Sequence, residues 1–392
     1  MATLATTVKQ TLEAAVSGPN APAGLVFGAV NRNGEMLVAE AAGRIALDKD
    51  EPMTTESYFP LYSVTKSIVG IAAMQLVEQG KLVLDEPAEQ YLPEIGQLQV
   101  LGDDNSLRLP KRKITLRMLL THTSGLGYTF FSERLRKYWV SRGGPDEFNG
   151  TREGLLDFPL VNEPGEVWSY GSGIDWTGEI IARVSGLTLS EYCNKNIFAP
   201  LGIQDIAFAV SPELKPRLVS LHRRNEDGSI KVIDHLPFVQ SASVVSGGAG
   251  SFSTLRSFLT ILSAIINGGV GSNGSRILNN STVQEMFKNQ LSGSPGLPGT
   301  FEASRGELTR DLVFPEGTGL GWGFTWMLNL ESLPTGRSSL SAYWGGLPNL
   351  FYTADPTKGI ACMLMCQQIP FGDPEVATTF LTLESIVNAS LV

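Results

Sequence analysis

Strand-like runs lie at both ends of this chain and helix-like segments fill the middle, which restricts the possible folds more than any other feature. Near the start, Gly24–Val30 and Met36–Ala42 flank Asn33-Gly34, a turn dipeptide that tolerates positive φ and so predicts an antiparallel hairpin. Further runs of strand type come late, at Trp322–Leu328, Leu340–Trp344, Leu350–Thr353 and Ile360–Cys366. Met1–Val16 reads as an amphipathic helix with Leu4, Val8 and Leu12 four apart, and Ser63–Gln79 as a mostly buried helix closed by Gly80. Thr115–Leu120, Trp176–Ser185 and Leu189–Phe198 add helical segments between loops marked by Pro110, Gly143-Gly144-Pro145 and Pro164-Gly165. Gly247-Gly248-Ala249-Gly250 then leads into a helix at Ser257–Ile266. The order predicts an α/β fold, an antiparallel sheet flanked by helices and built from both termini (1–65 and 240–392), interrupted by a largely helical domain (66–239). The cleft between the two is the expected site.

Composition narrows the function. Hydrophobic residues are 42% and charged residues 18% of 392, a balance for a compact interior rather than a disordered scaffold. A net charge of -9 offers no electrostatic footprint for nucleic acid or an anionic membrane, so a small-molecule partner is expected. The longest apolar stretches, Ile68–Val77 and Leu259–Ile266, are shorter than the ~20 residues a bilayer requires. The first residues lack a basic start followed by an apolar core. Three cysteines, Cys193, Cys362 and Cys366, have neither disulfide-framework nor metal-site spacing. A soluble, cytoplasmic protein without cofactor or metal is expected.

Three short elements carry chemistry. Ser63-Val64-Thr65-Lys66 fits S-x-x-K; residues three apart on a helix occupy adjacent turns, so the amine of Lys66 can reach the hydroxyl of Ser63 and take its proton. The pattern alone is weak, because 34 Ser and 12 Lys in 392 residues give about one such match by chance. Tyr170-Gly171-Ser172 lies in a loop just ahead of a helix, where a phenol could exchange protons with Lys66. Trp344-Gly345-Gly346-Leu347 ends a late strand, and two glycines there let a substrate approach the backbone closely.

In this order and spacing the three elements resemble the serine β-lactamase and penicillin-binding-protein superfamily. The likeness continues through Phe59–Lys66, Ile114–Leu126, Pro164–Gly186 and Gly247–Thr254. Within that superfamily the chain looks most like the family VIII carboxylesterases and the fungal lovastatin side-chain acyltransferases, especially over Lys113–Tyr128, Asn162–Trp176 and Ala199–Phe208. The resemblance implies the β-lactamase-like fold, with Ser63 as the acylated nucleophile, Lys66 as its base and Tyr170 as the proton carrier. It implies an oxyanion hole made by the backbone N–H groups of Ser63 and Leu347. Ser172 stands where β-lactamases place Asn, and Trp344-Gly345-Gly346 where they carry Lys-Thr-Gly, which removes the cation expected to hold a β-lactam carboxylate. Trp344 presents instead an aromatic wall with one N–H donor, suited to a neutral or hydrophobic substrate. Trp344, Gly345, Gly346, Ser172 and Tyr128 are therefore the expected substrate contacts.

The expected activity is transfer of an acyl group, through a covalent acyl-enzyme, from an ester or thioester to a hydroxyl-bearing hydrophobic acceptor of the secondary-metabolite kind. The donor could be free or bound to a carrier protein. Hydrolysis of esters by the same intermediate is the alternative, followed by β-lactamase or DD-peptidase activity and by a non-catalytic binding role on the same fold. A Ser-His-Asp hydrolase is disfavoured because no G-x-S-x-G elbow occurs.

Overall fold

The computed structural model describes residues 3–240, 243–292, 296–314 and 319–391. Its centre is a seven-stranded sheet in which every described pairing is antiparallel. The N-terminal hairpin, β1 (Gly24–Asn31) and β2 (Met36–Gly43), forms one edge, and β1 pairs with Ile360–Met365, placing Val26 opposite Met365 and Asn31 opposite Ile360. Beyond it the order continues through Leu350–Asp355, Ser341–Gly346, Met327–Asn329 and Leu320–Trp322. The two chain ends thus share one sheet, as their strand-like patterning predicts.

Both faces of the central strands are covered, which explains why Ile360–Met365 is an unbroken buried run rather than an alternating one. On one face lie helix α1 (Leu4–Ala15) and the C-terminal helix Pro374–Ala389, joined to the sheet by Val8, Leu12, Phe27, Leu364, Leu383 and Val387. On the other lies the helix Leu255–Ile266, begun by Thr254, whose hydroxyl accepts the N–H of Ser257. The same core runs on to α2 (Thr65–Glu78), in which Thr65 to Leu76 are all buried. Such a helix carries apolar residues on every side because it has almost no solvent face, and its polar members Thr65, Lys66, Ser67 and Gln75 are buried with partners of their own. It ends as expected at Gly80, whose φ of 66° allows the N–H groups of Gly80 and Lys81 to bond the carbonyls of Val77 and Leu76.

The middle of the chain supplies helices Leu116–Leu120, Glu133–Ser141, Arg152–Leu156, Gly173–Ser185 and Leu189–Cys193. Two features differ from the sequence expectation. Leu221–Arg224 and Ile230–Ile233 form a hairpin inside this region, and its first strand pairs in parallel with Gln368–Ile369 from the far end of the chain. Trp322–Leu328 is not one strand but a tight hairpin between Leu320–Trp322 and Met327–Asn329, turned at Thr325 with φ 72°. Trp322 donates its indole N–H, and Thr325 its backbone N–H, to the carbonyl of Leu120 at 3.3 and 3.2 Å. That tertiary anchor explains a turn at a residue without a turn signature. Among the described residues no helix is long and apolar enough to cross a membrane.

Candidate active site

Ser63 occupies a single 3-10 turn, Tyr62–Val64, that feeds directly into α2. The residue before it, Tyr62, is buried with φ 48°. A left-handed conformation at a bulky aromatic costs ~1–3 kcal/mol and persists only where packing over-determines it. Here the ring of Tyr62 packs edge-on against Phe238 at 5.3 Å.

One turn along the helix, Lys66 is fully buried. Its Nζ donates to Ser63 Oγ at 3.2 Å and to the carbonyl of Gly248 at 2.9 Å. It also lies 4.7 Å from the ring centre of Tyr170 and 5.2 Å from that of Tyr128, aromatic faces that attract a cation.

The loop carrying Gly248 is held by a carboxylate that sequence reasoning missed. Asp175 Oδ1 accepts the N–H of Gly248 (2.8 Å) and the hydroxyl of Ser246 (2.6 Å), while Oδ2 accepts the hydroxyl of Tyr128 (3.1 Å). A side chain at position 248 would put its Cβ 2.5 Å from Asp175 Oδ2, so only glycine fits. Burial pushes the Asp175 carboxyl up, against the opposing pull of the Lys66 charge and its own hydrogen bonds. The Gly248 peptide therefore links Lys66 to Asp175, carbonyl to one and N–H to the other. The only trace of this in the sequence is an acidic residue in the first turn of the helix Gly173–Ser185, a position such residues take for ordinary reasons of helix charge.

Tyr170, nearly buried, meets Lys66 through its ring, and its hydroxyl oxygen accepts the indole N–H of Trp344 at 3.1 Å. The one donor of Trp344, expected to face a substrate, is thus used within the protein. His122 packs against Tyr170 with ring centres 4.6 Å apart, and its Nδ1 accepts the N–H of Gly171 at 3.3 Å. Burial, reinforced by the Lys66 charge, holds this imidazole well below its usual range, so it is neutral with its proton on Nε2.

Gly345 and Gly346 end the strand Ser341–Gly346. Their reason differs from the one sequence suggests. A Cβ at 346 would stand 2.5 Å from the carbonyl of Leu61, and one at 345 would stand 2.6 Å from that of Leu350. The space is taken by the protein's own backbone, which draws the strand end, and Leu347 after it, against the turn that carries Ser63.

Ser63, Tyr128, Tyr170, Trp344, Gly345, Gly346 and Leu347 all line one pocket of about 860 Å3, its mouth included. Ser172 does not: it is fully buried, and its hydroxyl has no hydrogen-bond partner. The remaining wall is aromatic. Ring contacts at 4.9–6.1 Å run from Phe238 through Phe148 and Phe130 to Tyr128, with Phe131 and Phe371 also on the lining. One acid, Glu147, shares it; both its oxygens are bonded by Thr129, through the backbone N–H and the hydroxyl. Among the described residues no group of three or more His, Cys, Asp or Glu side chains is placed to hold a metal ion.

The Beta-lactamase family model matches residues 13–384. The monacolin J acid methylbutanoyltransferase of Aspergillus terreus is 30% identical over 93% of this chain and 91% of its own length. The lovastatin esterase of Penicillium rubens is 32% identical over 82% of this chain and 83% of its own. The unliganded selenomethionyl form of simvastatin synthase from Aspergillus terreus superposes with a TM-score of 0.84 at 29% identity, covering 100% of this chain and 99% of that one. The chain belongs to the beta-lactamase family, as a serine hydrolase or acyltransferase.

Proposed function

We propose that this protein moves an acyl group from an ester or thioester to the hydroxyl of a hydrophobic acceptor through an acyl-Ser63 intermediate. The observation that carries the reading is the 3.2 Å contact between Lys66 Nζ and Ser63 Oγ at the wall of an aromatic pocket. In this reading residues 1–65 and 240–392 act as one module and 66–239 as a second. Ser63 and Trp344 come from the first, Lys66 and Tyr170 from the second.

Lys66 takes the proton of Ser63 as Oγ attacks the donor carbonyl. Charge then develops on the carbonyl oxygen, where the N–H groups of Ser63 and Leu347 receive it; loss of one such donor costs ~2.7–4 kcal/mol in serine enzymes. Collapse expels the alkoxide or thiolate, which leaves with a proton passed through Tyr170. An acceptor hydroxyl then repeats the sequence in reverse, giving its proton to Tyr170 or Lys66 as it attacks the acyl-Ser63 ester. Asp175 positions Lys66 through the Gly248 peptide and touches no reactant.

Transfer rather than hydrolysis is supported by the aromatic wall, which favours an apolar acceptor over water, and by the relative that names a methylbutanoyltransferase. The lovastatin esterase supports hydrolysis as the second reading. Turnover of p-nitrophenyl butyrate with increasing concentrations of a bulky apolar secondary alcohol separates the two. Transfer predicts that the new ester becomes the main product; butyrate as the sole product at saturating alcohol would establish the esterase instead.

A further inference from the structure

The chemistry of the pocket wall goes further than the reaction type. Of the described side chains that line it, those with ordinary aqueous ionisation are few: the phenols of Tyr62, Tyr128 and Tyr170 and one carboxyl, Glu147; no lysine or arginine is among them. Lys66 lies behind the wall, and its donors go to Ser63 and Gly248. Arg305, whose charge reaches Glu147, is itself paired with Asp146 at 2.7 Å and Glu307 at 2.8 Å and is not on the pocket lining.

We infer that the pocket selects uncharged acyl chains and rejects anionic ones, with Glu147 as the residue that sets the sign of the charge it will not admit. This deepens the acyl-transfer reading and rests on it. A carboxylate carried into the aromatic belt of Phe130, Phe131, Phe148 and Phe238 would lose its hydration with no cation to replace it, and burying an unpaired ion is among the most costly events in a protein interior. Glu147 adds repulsion. It is 6% exposed, and its carboxyl is fixed by Thr129, the residue between the pocket-lining Tyr128 and Phe130. Ser304 fastens that same segment from the other side, bonding the carbonyls of Thr129 and Phe130. The acid therefore cannot swing out to solvent without dismantling the wall. Burial pushes its carboxyl up to about 7, with Asp146 pushing the same way and Thr129 and Arg305 opposing. Around pH 8 it carries its charge.

A cationic chain meets a different environment. It too is desolvated, but Glu147 attracts it. The order of preference is then neutral first, cation second, anion last.

Three donors of matched length test this at pH 8: methyl p-nitrophenyl adipate, mono-p-nitrophenyl adipate and the p-nitrophenyl ester of 6-aminohexanoic acid. Their kcat/KM values are compared within the wild type and within Glu147→Gln, with p-nitrophenyl butyrate as a short neutral control. The expected result is a neutral-to-anion ratio of ~50 or more and a cation-to-anion ratio above ~5 in the wild type. Glu147→Gln is expected to bring the cation-to-anion ratio to about 1 while keeping neutral above both. Equal turnover of the anionic and neutral adipates would overturn the selection, and an unchanged cation-to-anion ratio in Glu147→Gln would overturn the role of Glu147. If Glu147→Gln fails to fold, Glu147→Asp, which withdraws the charge by one methylene, must shift the same ratio or the role is lost. Failure of the butyrate control to acylate Ser63 would strike the acyl-transfer reading itself, which keeps the two failures distinct.

Discussion

The two sides of the pocket are built on opposite principles. Behind Ser63 the floor is polar and each contact has one solution: Lys66 to Ser63 and Gly248, Gly248 to Asp175, Asp175 to Ser246 and Tyr128. Facing it, Phe130, Phe131, Phe148, Phe238 and Phe371 form a wall whose members touch several neighbours without direction. A buried hydrogen-bonded network fails as a unit when one member leaves, because its partners stay desolvated and unpaired. An aromatic wall loses area in proportion to what is cut away. Chemistry should therefore reside in the floor and selectivity in the wall.

The largest effect that could break this contrast lies at Lys66. Lys66→Met keeps the volume and removes the amine, and should lower kcat/KM for p-nitrophenyl butyrate ~10^3-fold or more; a loss under tenfold would mean that the base lies elsewhere. Next comes Asp175→Asn. Ser246, Gly248 and Tyr128 all donate to this carboxylate, and an amide cannot accept from all three, so the variant should lose ~1–3 kcal/mol of stability in denaturant unfolding. As a positioning change it should lower kcat far more than it raises KM. Restoration of kcat by lowering temperature alone would instead mark a purely structural role.

On the wall the effects are smaller and graded. Phe131→Ala should raise KM for a p-nitrophenyl octanoate ~5–10-fold and change kcat for the butyrate less than ~3-fold. A collapse of butyrate turnover would erase the distinction between floor and wall. The smallest effect concerns Glu147. Its folded carboxyl titrates at about 7, above the ~4.3 of an unfolded chain. The folded state therefore binds the extra proton between these values, and stability attached to the group is full below pH 4 and lost as pH rises through 7. Glu147→Gln removes that loss, so its melting temperature relative to wild type should rise by ~1–3 °C between pH 5 and pH 8. A difference that does not vary with pH would show that burial does not perturb this acid.

How far the sequence anticipated the molecule follows the same division. The N-terminal hairpin, the buried α2 helix and the late strands were legible because periodicity and turn residues are local signals. Ser63 and Lys66 were legible because their spacing on one helix is itself the geometry. Tyr170 and Trp344 gained meaning only from order along the chain, and their mutual hydrogen bond joins residues 174 positions apart. Asp175 was silent, since its partners come from residues 128 and 246–248. The wall was legible at one segment alone: Tyr128, expected as a substrate contact, opens the run Tyr128-Thr129-Phe130-Phe131, whose three rings line the pocket, whereas Phe148, Phe238 and Phe371 lie in three other segments, and nothing local distinguishes an aromatic that lines a pocket from one that fills a core. Thr325 and Tyr62 adopt positive φ without a sequence cue, because tertiary packing imposes it. The paired glycines at 345 and 346 were rightly singled out for close approach, but what approaches is the backbone of Leu61 and Leu350.

The central claim is that acyl transfer passes through Ser63. Intact-mass spectrometry of the wild type and Ser63→Ala after brief exposure to p-nitrophenyl butyrate tests it most directly. A butyryl adduct is expected on the wild type, decaying faster when an apolar alcohol is added, with no adduct or turnover in a folded Ser63→Ala protein. Full turnover by Ser63→Ala, or an adduct that persists in it, would contradict the account.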